Sequence, residues 1–309
     1  GRLKPQALPG MQLQHWSHLT RAGFNLRGLH TPPSGRPVIH FLHGNGFCGL
    51  SYRPLLERLA EHFDLFLSDA QGHGDSDHGG RFVGWNHSAD CALDAWHAHQ
   101  ARFGTVPVFA VGHSFGSVLT SLMLARAPTS FQGAVLLDPV LFPPAMVGLM
   151  ALSDVIGLYS RNQPANRARK RQHHWSSRSE AADKLRNRGM FRGWQEDALQ
   201  AYVTNALRDH PGGGVELKCS PAREAEIFGS YPRRLWSSLA RITTPTRVLR
   251  GAGSYPFAAR AIERWVRRNP AVSCQVLPGG HCFMQEVPAA SATAMIDYLS
   301  TIPDAPDPA

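Results

Sequence analysis

Ser114 stands in the run Gly112-His113-Ser114-Phe115-Gly116, the G-x-S-x-G spacing of a nucleophile set on a sharp turn. A serine hydroxyl attacks poorly until a neighbouring base takes its proton. To meet a substrate it must also project from a strained backbone, so the residues two positions away must be small. Gly112 and Gly116 satisfy that steric demand. A helix starting after the serine would offer free N–H groups that favour developing negative charge. The matching base is His281, in Pro278-Gly279-Gly280-His281. A glycine-rich loop late in the chain lets its imidazole reach back to the serine hydroxyl. The chain has 16 histidines, and this one is set apart by its loop and by its place after the serine. His43, His73 and His113 read as parts of turns, and Cys282 as a small packing residue beside the base.

These residues need a scaffold that brings strand ends together. Val38–Leu42 is an apolar run ending in His43-Gly44-Asn45-Gly46-Phe47, followed by a helical pattern over residues 52–62. Residues 65–67 run into Asp69, and a buried strand over 106–111 leads into the serine motif. A helix over 115–127 stops at Pro128, and a strand over 134–137 ends in Asp138-Pro139. Alternating short apolar runs and helical patterns predict an α/β fold, a mostly parallel sheet flanked by helices. From residue 142 to about 239 the alternation breaks into charged helical stretches over 179–188 and 195–207, with a turn at Pro211-Gly212-Gly213-Gly214. This predicts a helical cap over 142–239, inserted into a core of residues 11–141 and 240–309, behind a flexible leader at 1–10. The sheet resumes at 246–250 and 273–277 around a helix at 257–269, and a final helix covers 289–300.

Of the 309 residues, 43% are hydrophobic and 18% charged, which suits one large core. No run of about 18 apolar residues occurs, so stable membrane insertion is not expected. Cys48, Cys91, Cys219, Cys274 and Cys282 are scattered, without zinc-like spacing, and read as reduced thiols of a cytoplasmic protein. The leader lacks a signal-peptide core, which leaves an already removed secretion signal open. The formal charge is +9 and mostly arginine, but no nucleic-acid motif accompanies it, so no nucleic-acid partner is expected. Cations gather at residues 161–171, with His173 and His174 just beyond. That segment reads as a solvated face, or alternatively as an electropositive rim for an anionic substrate or a membrane surface. No nucleotide, flavin or metal motif occurs, so neither cofactor nor metal is expected. The oligomeric state is open.

The motifs together resemble the α/β-hydrolase superfamily, from about residue 38 to the C-terminus. The resemblance rests on His43-Gly44-Asn45-Gly46, on Asp69-Ala70-Gln71-Gly72-His73-Gly74-Asp75-Ser76, on the Ser114 turn and on Gly280-His281. It implies an oxyanion hole from the N–H groups of Asn45 and Phe115, and a shaping role for Asp69 and His73. Members of the superfamily usually carry the third acid just after the strand that follows the cap. Gly251-Ala252-Gly253-Ser254 holds no carboxylate there, and Glu263 falls in mid-helix. Some members carry the acid one strand earlier, which maps to Asp138. Two readings stay open: Asp138 completes a triad, or it only caps the turn into Pro139 and leaves a Ser114–His281 dyad.

The resemblance implies a serine hydrolase acting on a small carboxylic ester or lactone through an acyl-enzyme. Carbon–carbon bond hydrolysis and cofactor-free perhydrolysis use the same residues and are the enzymatic alternatives. The His-Gly-Asn turn and the early acid are similar to those of haloalkane dehalogenases. Ser114 argues against that chemistry and against epoxide hydrolysis, both of which use an aspartate nucleophile. A non-catalytic ligand-binding protein is the alternative from another class. Met146, Met150, Met190, Phe142 and Trp194 read as apolar packing of the cap, or as lining of an acyl pocket.

Overall fold

Apolar runs of five or six residues with both faces covered build the centre of the molecule. The structure, a computed structural model, describes residues 11–303; the expected leader at 1–10 lies outside them. The strands in chain order are β1 (Gln14–Leu19), β2 (Asn25–His30), β3 (Val38–Leu42), β4 (Asp64–Ser68), β5 (Val108–His113) and β6 (Gly133–Leu137). After these come β7 (His174–Trp175), β8 (Leu207–Asp209) and β9 (Val215–Leu217), then β10 (Thr246–Gly251) and β11 (Val272–Leu277). Eight of them form one sheet in the order β1-β2-β4-β3-β5-β6-β10-β11. β1 and β2 pair antiparallel, as do β2 and β4, and every pair from β4 to β11 is parallel. β3, β4, β5 and β6 are buried at every position, as parallel strands covered by helices on both faces must be.

Register decides what lies at the sheet's edge. Leu42 pairs with Gly112, His113 with Leu137, Leu137 with Leu249, and Gly251 with Leu277. The parallel strands therefore end together, and His43, Asp69, Ser114, Asp138 and the loop after Leu277 all leave from one carboxyl edge. Helix Phe115–Arg126 follows β5 and packs very close to β3. A Cβ on Gly116 would overlap the carbonyl oxygens of Leu42 and His43, and one on Gly112 would overlap the carbonyl of Gly116. Close approach, rather than backbone freedom, is why glycine is needed at both positions.

Three parts of the fold depart from expectation. The hairpin β1–β2 extends the sheet on one side. Its short strands are only partly buried, so the apolar alternation that marks a strand is weak. Helix Trp85–His99 carries polar residues throughout and has no capping side chain, so nothing in its sequence marks its start. Between β6 and β10, the helices are joined by a three-stranded sheet in the order β7-β9-β8. Strands of two and three residues leave no readable period. The glycine turn at Gly213 and Gly214, with φ of 101° and 75°, closes the β8–β9 hairpin. Among the described residues, no helix is long and apolar enough to cross a membrane.

Among the buried imidazoles in the sheet or at its edge are His40, His43, His73 and His113. Burial lowers the pKa of each, to about 3 for His40 and about 4 for His43. In the unfolded chain, each takes a proton below about pH 6.5. The unfolded state thus binds more protons as pH falls. The stability contributed by neutral burial is present above that pH and lost below it, by about 1.4 kcal/mol per pH unit and imidazole. Burial raises Asp69 to about 6, which works in the opposite sense, but as one group against four.

Two measurements check this packing. Gly116→Ala should lower stability by about 1–3 kcal/mol, read as a lower urea midpoint at unchanged slope; a midpoint equal to wild type would contradict the close approach. Urea midpoints of the unaltered protein should fall clearly between pH 7 and pH 5 (), and a flat or rising profile would contradict neutral burial of the imidazoles.

Candidate active site

Ser114 occupies the turn between β5 and the helix that follows, with φ 54° and ψ −118°. Its N–H donates to the carbonyl of Leu137 at 3.0 Å, so β6 holds the strained residue in place. Asp138, the first residue after β6, has φ 44°, and its N–H donates to the carbonyl of Leu249 at 2.7 Å. Neighbouring parallel strands thus end in two residues with positive φ, one a serine and the other an aspartate. Such backbone is unfavourable for residues with a Cβ and concentrates at functional sites.

His281 comes from the loop after β11 and bridges the two. Its Nε2 lies 2.8 Å from Ser114 Oγ and its Nδ1 2.5 Å from Asp138 Oδ2. The Asp138 side chain is 3% exposed and that of His281 21%, so the acid is dry while the base reaches the surface. Asp138 Oδ1 accepts the N–H of Gly251 at 2.9 Å, and Oδ2 also accepts the hydroxyl of Ser254. The Gly251–Ser254 segment, which holds no acid, supplies donors to Asp138 instead. Glu263 lies within helix Pro256–Arg268, outside this hydrogen-bonded chain. Burial pushes the Cys282 thiol up, which disfavours a thiolate beside the imidazole. All five cysteines are unpaired.

The turn after β3 is held by side chains that sequence reading treated only as turn residues. Gly46 N–H donates to His73 Nε2 at 3.0 Å, and Ala70 N–H donates to His43 Nε2 at 2.9 Å. Both rings pair Nδ1 with a backbone carbonyl, of Gln71 and Gly44 respectively, which fixes the proton on Nδ1. Gly44 N–H donates to the Tyr52 hydroxyl at 2.9 Å. That hydroxyl donates in turn to His113 Nδ1 at 2.5 Å, and His113 Nε2–H donates to the carbonyl of His281 at 3.0 Å. Tyr52 and His113, the links of this chain, are fully buried and satisfied, so each proton has one place. The chain ties the β3 turn, the serine turn and the histidine loop into one unit.

Asn45 lies between these restrained glycines. Gly44, Gly46 and Phe47 each spend their N–H on an internal acceptor, and that of Asn45 has none among the described residues. Phe115 is the first residue of its helix, where an N–H has no acceptor one turn back. The Asn45 side chain donates from Nδ2 to the carbonyl of Glu224 at 3.1 Å. Glu224 is paired at 2.7 Å with Arg171, which also donates to the Tyr202 hydroxyl at 2.8 Å. The segment between β6 and β10 thereby touches the β3 turn. On the other side, Tyr255 packs on His281 with ring centroids 5.0 Å apart, then on Phe257, and Phe257 stacks on Phe142.

A serine, a base and an acid in hydrogen-bonded series can transfer a proton as a bond forms at the serine oxygen. Tyr52, Ser254 and Tyr255 were not legible as parts of this site. Tyr52 meets His113 across 61 residues of chain, and no local pattern announces that contact. Among the described residues, no three His, Cys, Asp or Glu side chains cluster as a metal site would require.

Comparison with known proteins agrees with this architecture. The chain is similar over 96% of its length to the magnesium-chelatase 30 kDa subunit of Rhodobacter capsulatus, at 24% identity and covering 99% of that protein. A monoglyceride lipase of Rattus norvegicus is 33% identical over 147 residues, 45% of this chain and 47% of the lipase. Among solved structures, E-2-(acetamidomethylene)succinate hydrolase superposes with a TM-score of 0.75 at 21% identity, covering 93% of this chain and all of that one. The family model described as the alpha/beta hydrolase family matches residues 41–294, and the chain belongs to that family.

Proposed function

We propose that this chain is a serine hydrolase that cleaves a carboxylic ester or lactone through an acyl-enzyme. The observation that carries the reading is the hydrogen-bonded series Ser114–His281–Asp138, with 2.8 Å and 2.5 Å steps. Ser114 Oγ attacks the carbonyl carbon while His281 Nε2 takes its proton, and the carbonyl electrons move to oxygen. The N–H groups of Asn45 and Phe115 stabilise that oxyanion. When the carbonyl re-forms, His281 gives its proton to the departing alkoxide, leaving an ester on Ser114. Water then attacks the acyl carbon, His281 takes the water's proton, and Ser114 Oγ recovers it as the acid leaves. Asp138 keeps the imidazole in one tautomer and stabilises the imidazolium of each step.

Residues 142–239 serve as a cap over this edge, with the Asn45–Glu224 contact as one anchor. The substrate is a small molecule that reaches His281 past the Tyr255–Phe257–Phe142 aromatic row. Five free cysteines support a reducing compartment such as the cytoplasm. The monoglyceride lipase similarity and the apolar residues of the cap support an acyl ester as substrate class.

A fluorophosphonate probe should label the wild-type protein and leave Ser114→Ala unlabelled. Undiminished labelling of Ser114→Ala, or none of wild type, would remove the basis of the proposal. On a panel of esters and lactones graded by acyl length, Asp138→Asn should turn over about 10⁴-fold more slowly than wild type. Glu263→Gln should stay near wild type, and comparable losses from both would displace Asp138 from its role.

A further inference from the structure

The first helix after β6, Pro144–Val155, buries only Met150. Leu149 and Leu152 are 68% and 62% exposed, and the chain beyond continues with Val155, Ile156 and Leu158 at 84%, 64% and 55%. Positions 149, 152 and 156 repeat at helical spacing, so the apolar residues share one side. Exposed apolar groups of this number on one element mark a surface that meets something other than water.

The charge next to that surface indicates what it meets. Between Leu141 and Gln172 the cations are Arg161, Arg167, Arg169, Lys170 and Arg171, against the single acid Asp154. Arg171 is neutralised by Glu224, but among the described residues Arg161, Arg167 and Lys170 make no ion pair or side-chain hydrogen bond. Arg169 donates to the carbonyl of Ser160, two residues beyond Leu158, which places its guanidinium at the end of the apolar strip. Unneutralised cations beside exposed leucines are the arrangement of a surface that sits in the interface of an anionic bilayer. The strip is too short to span one, in keeping with the absence of a membrane-crossing helix among the described residues. A two-fold contact with a second copy would bring the two cation clusters near each other, where like charges repel.

We propose that helix Pro144–Val155 and the following segment to Lys170 dock this protein on anionic lipid surfaces, with the leucines inserted and the cations at the headgroups. The phenyl ring of Phe142, at the base of this helix, begins the aromatic row that ends on His281. Docking therefore brings the bilayer to the Phe142 end of that row. The binding itself does not depend on the chemistry proposed for Ser114.

The test is co-sedimentation of the full chain with phosphatidylcholine vesicles, with and without about one-third phosphatidylserine. Wild type should bind the serine-containing vesicles, less so in high salt, and should bind pure phosphatidylcholine weakly. Leu149→Ser with Leu152→Ser should reduce partitioning at least about tenfold. Arg161→Gln with Lys170→Gln should do so by about tenfold or more. All four side chains are exposed, so both double variants should melt as wild type does by circular dichroism, and either one tests the surface alone. No binding to anionic vesicles, equal binding to both vesicle types, or wild-type binding by either double variant would overturn the proposal. So would a lipid-free dimer that the leucine variant dissociates, which would assign the strip to a second copy.

Discussion

The backbone leaves β5 and β6 through residues with positive φ, 54° at Ser114 and 44° at Asp138, and the site depends on that shared constraint. Each departure is unfavourable by about 1–2 kcal/mol for a residue with a side chain. The sheet sustains both, because the N–H groups of Ser114 and Asp138 continue the ladder to the carbonyls of Leu137 and Leu249. Parallel register then does the positioning. With His113 opposite Leu137, the serine and the carboxylate emerge side by side, and only the imidazole must be delivered from elsewhere. The glycine-rich loop after β11 delivers it, and Gly280 N–H is anchored to Glu286 at 2.9 Å.

Around this pair, neutral imidazoles provide rigidity. His43, His73 and His113 each use both ring nitrogens, and each is buried. A histidine kept below its ordinary pKa by burial can donate from one nitrogen and accept at the other, which neither a carboxylate nor an ammonium can do. Three such rings fix the turn around Asn45 without placing a second charge near His281. In the proposed mechanism, proton transfer from Ser114 is thereby left to one base, and the surrounding donors need no rearrangement as charge develops.

Much of this was legible in the sequence where local pattern and local geometry coincide. The turn at Ser114 follows from two glycines flanking a serine after a buried strand. Asp138 was reached only through the resemblance, since Gly251-Ala252-Gly253-Ser254 holds no acid and some members carry it one strand earlier, and a turn-capping role stayed open beside it. The Tyr52–His113 contact was not legible, since it joins residues far apart in the chain that share no motif. The β1–β2 hairpin and the three short strands between β6 and β10 escaped for a different reason. Their pairing is set by tertiary contacts, over runs too short or too exposed to carry an apolar period. Met146 and Met150 of helix Pro144–Val155 read as cap packing or as pocket lining, because apolar composition says nothing of which side meets a neighbour.

The hydrogen bond between His281 Nδ1 and Asp138 is the link on which a complete triad depends. Proton NMR observes it directly, because an Nδ1 proton held by a buried carboxylate resonates far downfield of the amide region. The expected spectrum shows such a resonance in the wild-type protein, and its loss in both Asp138→Asn and His281→Gln. A downfield resonance that persists unchanged in folded Asp138→Asn would contradict the assignment of Asp138 as the partner of His281.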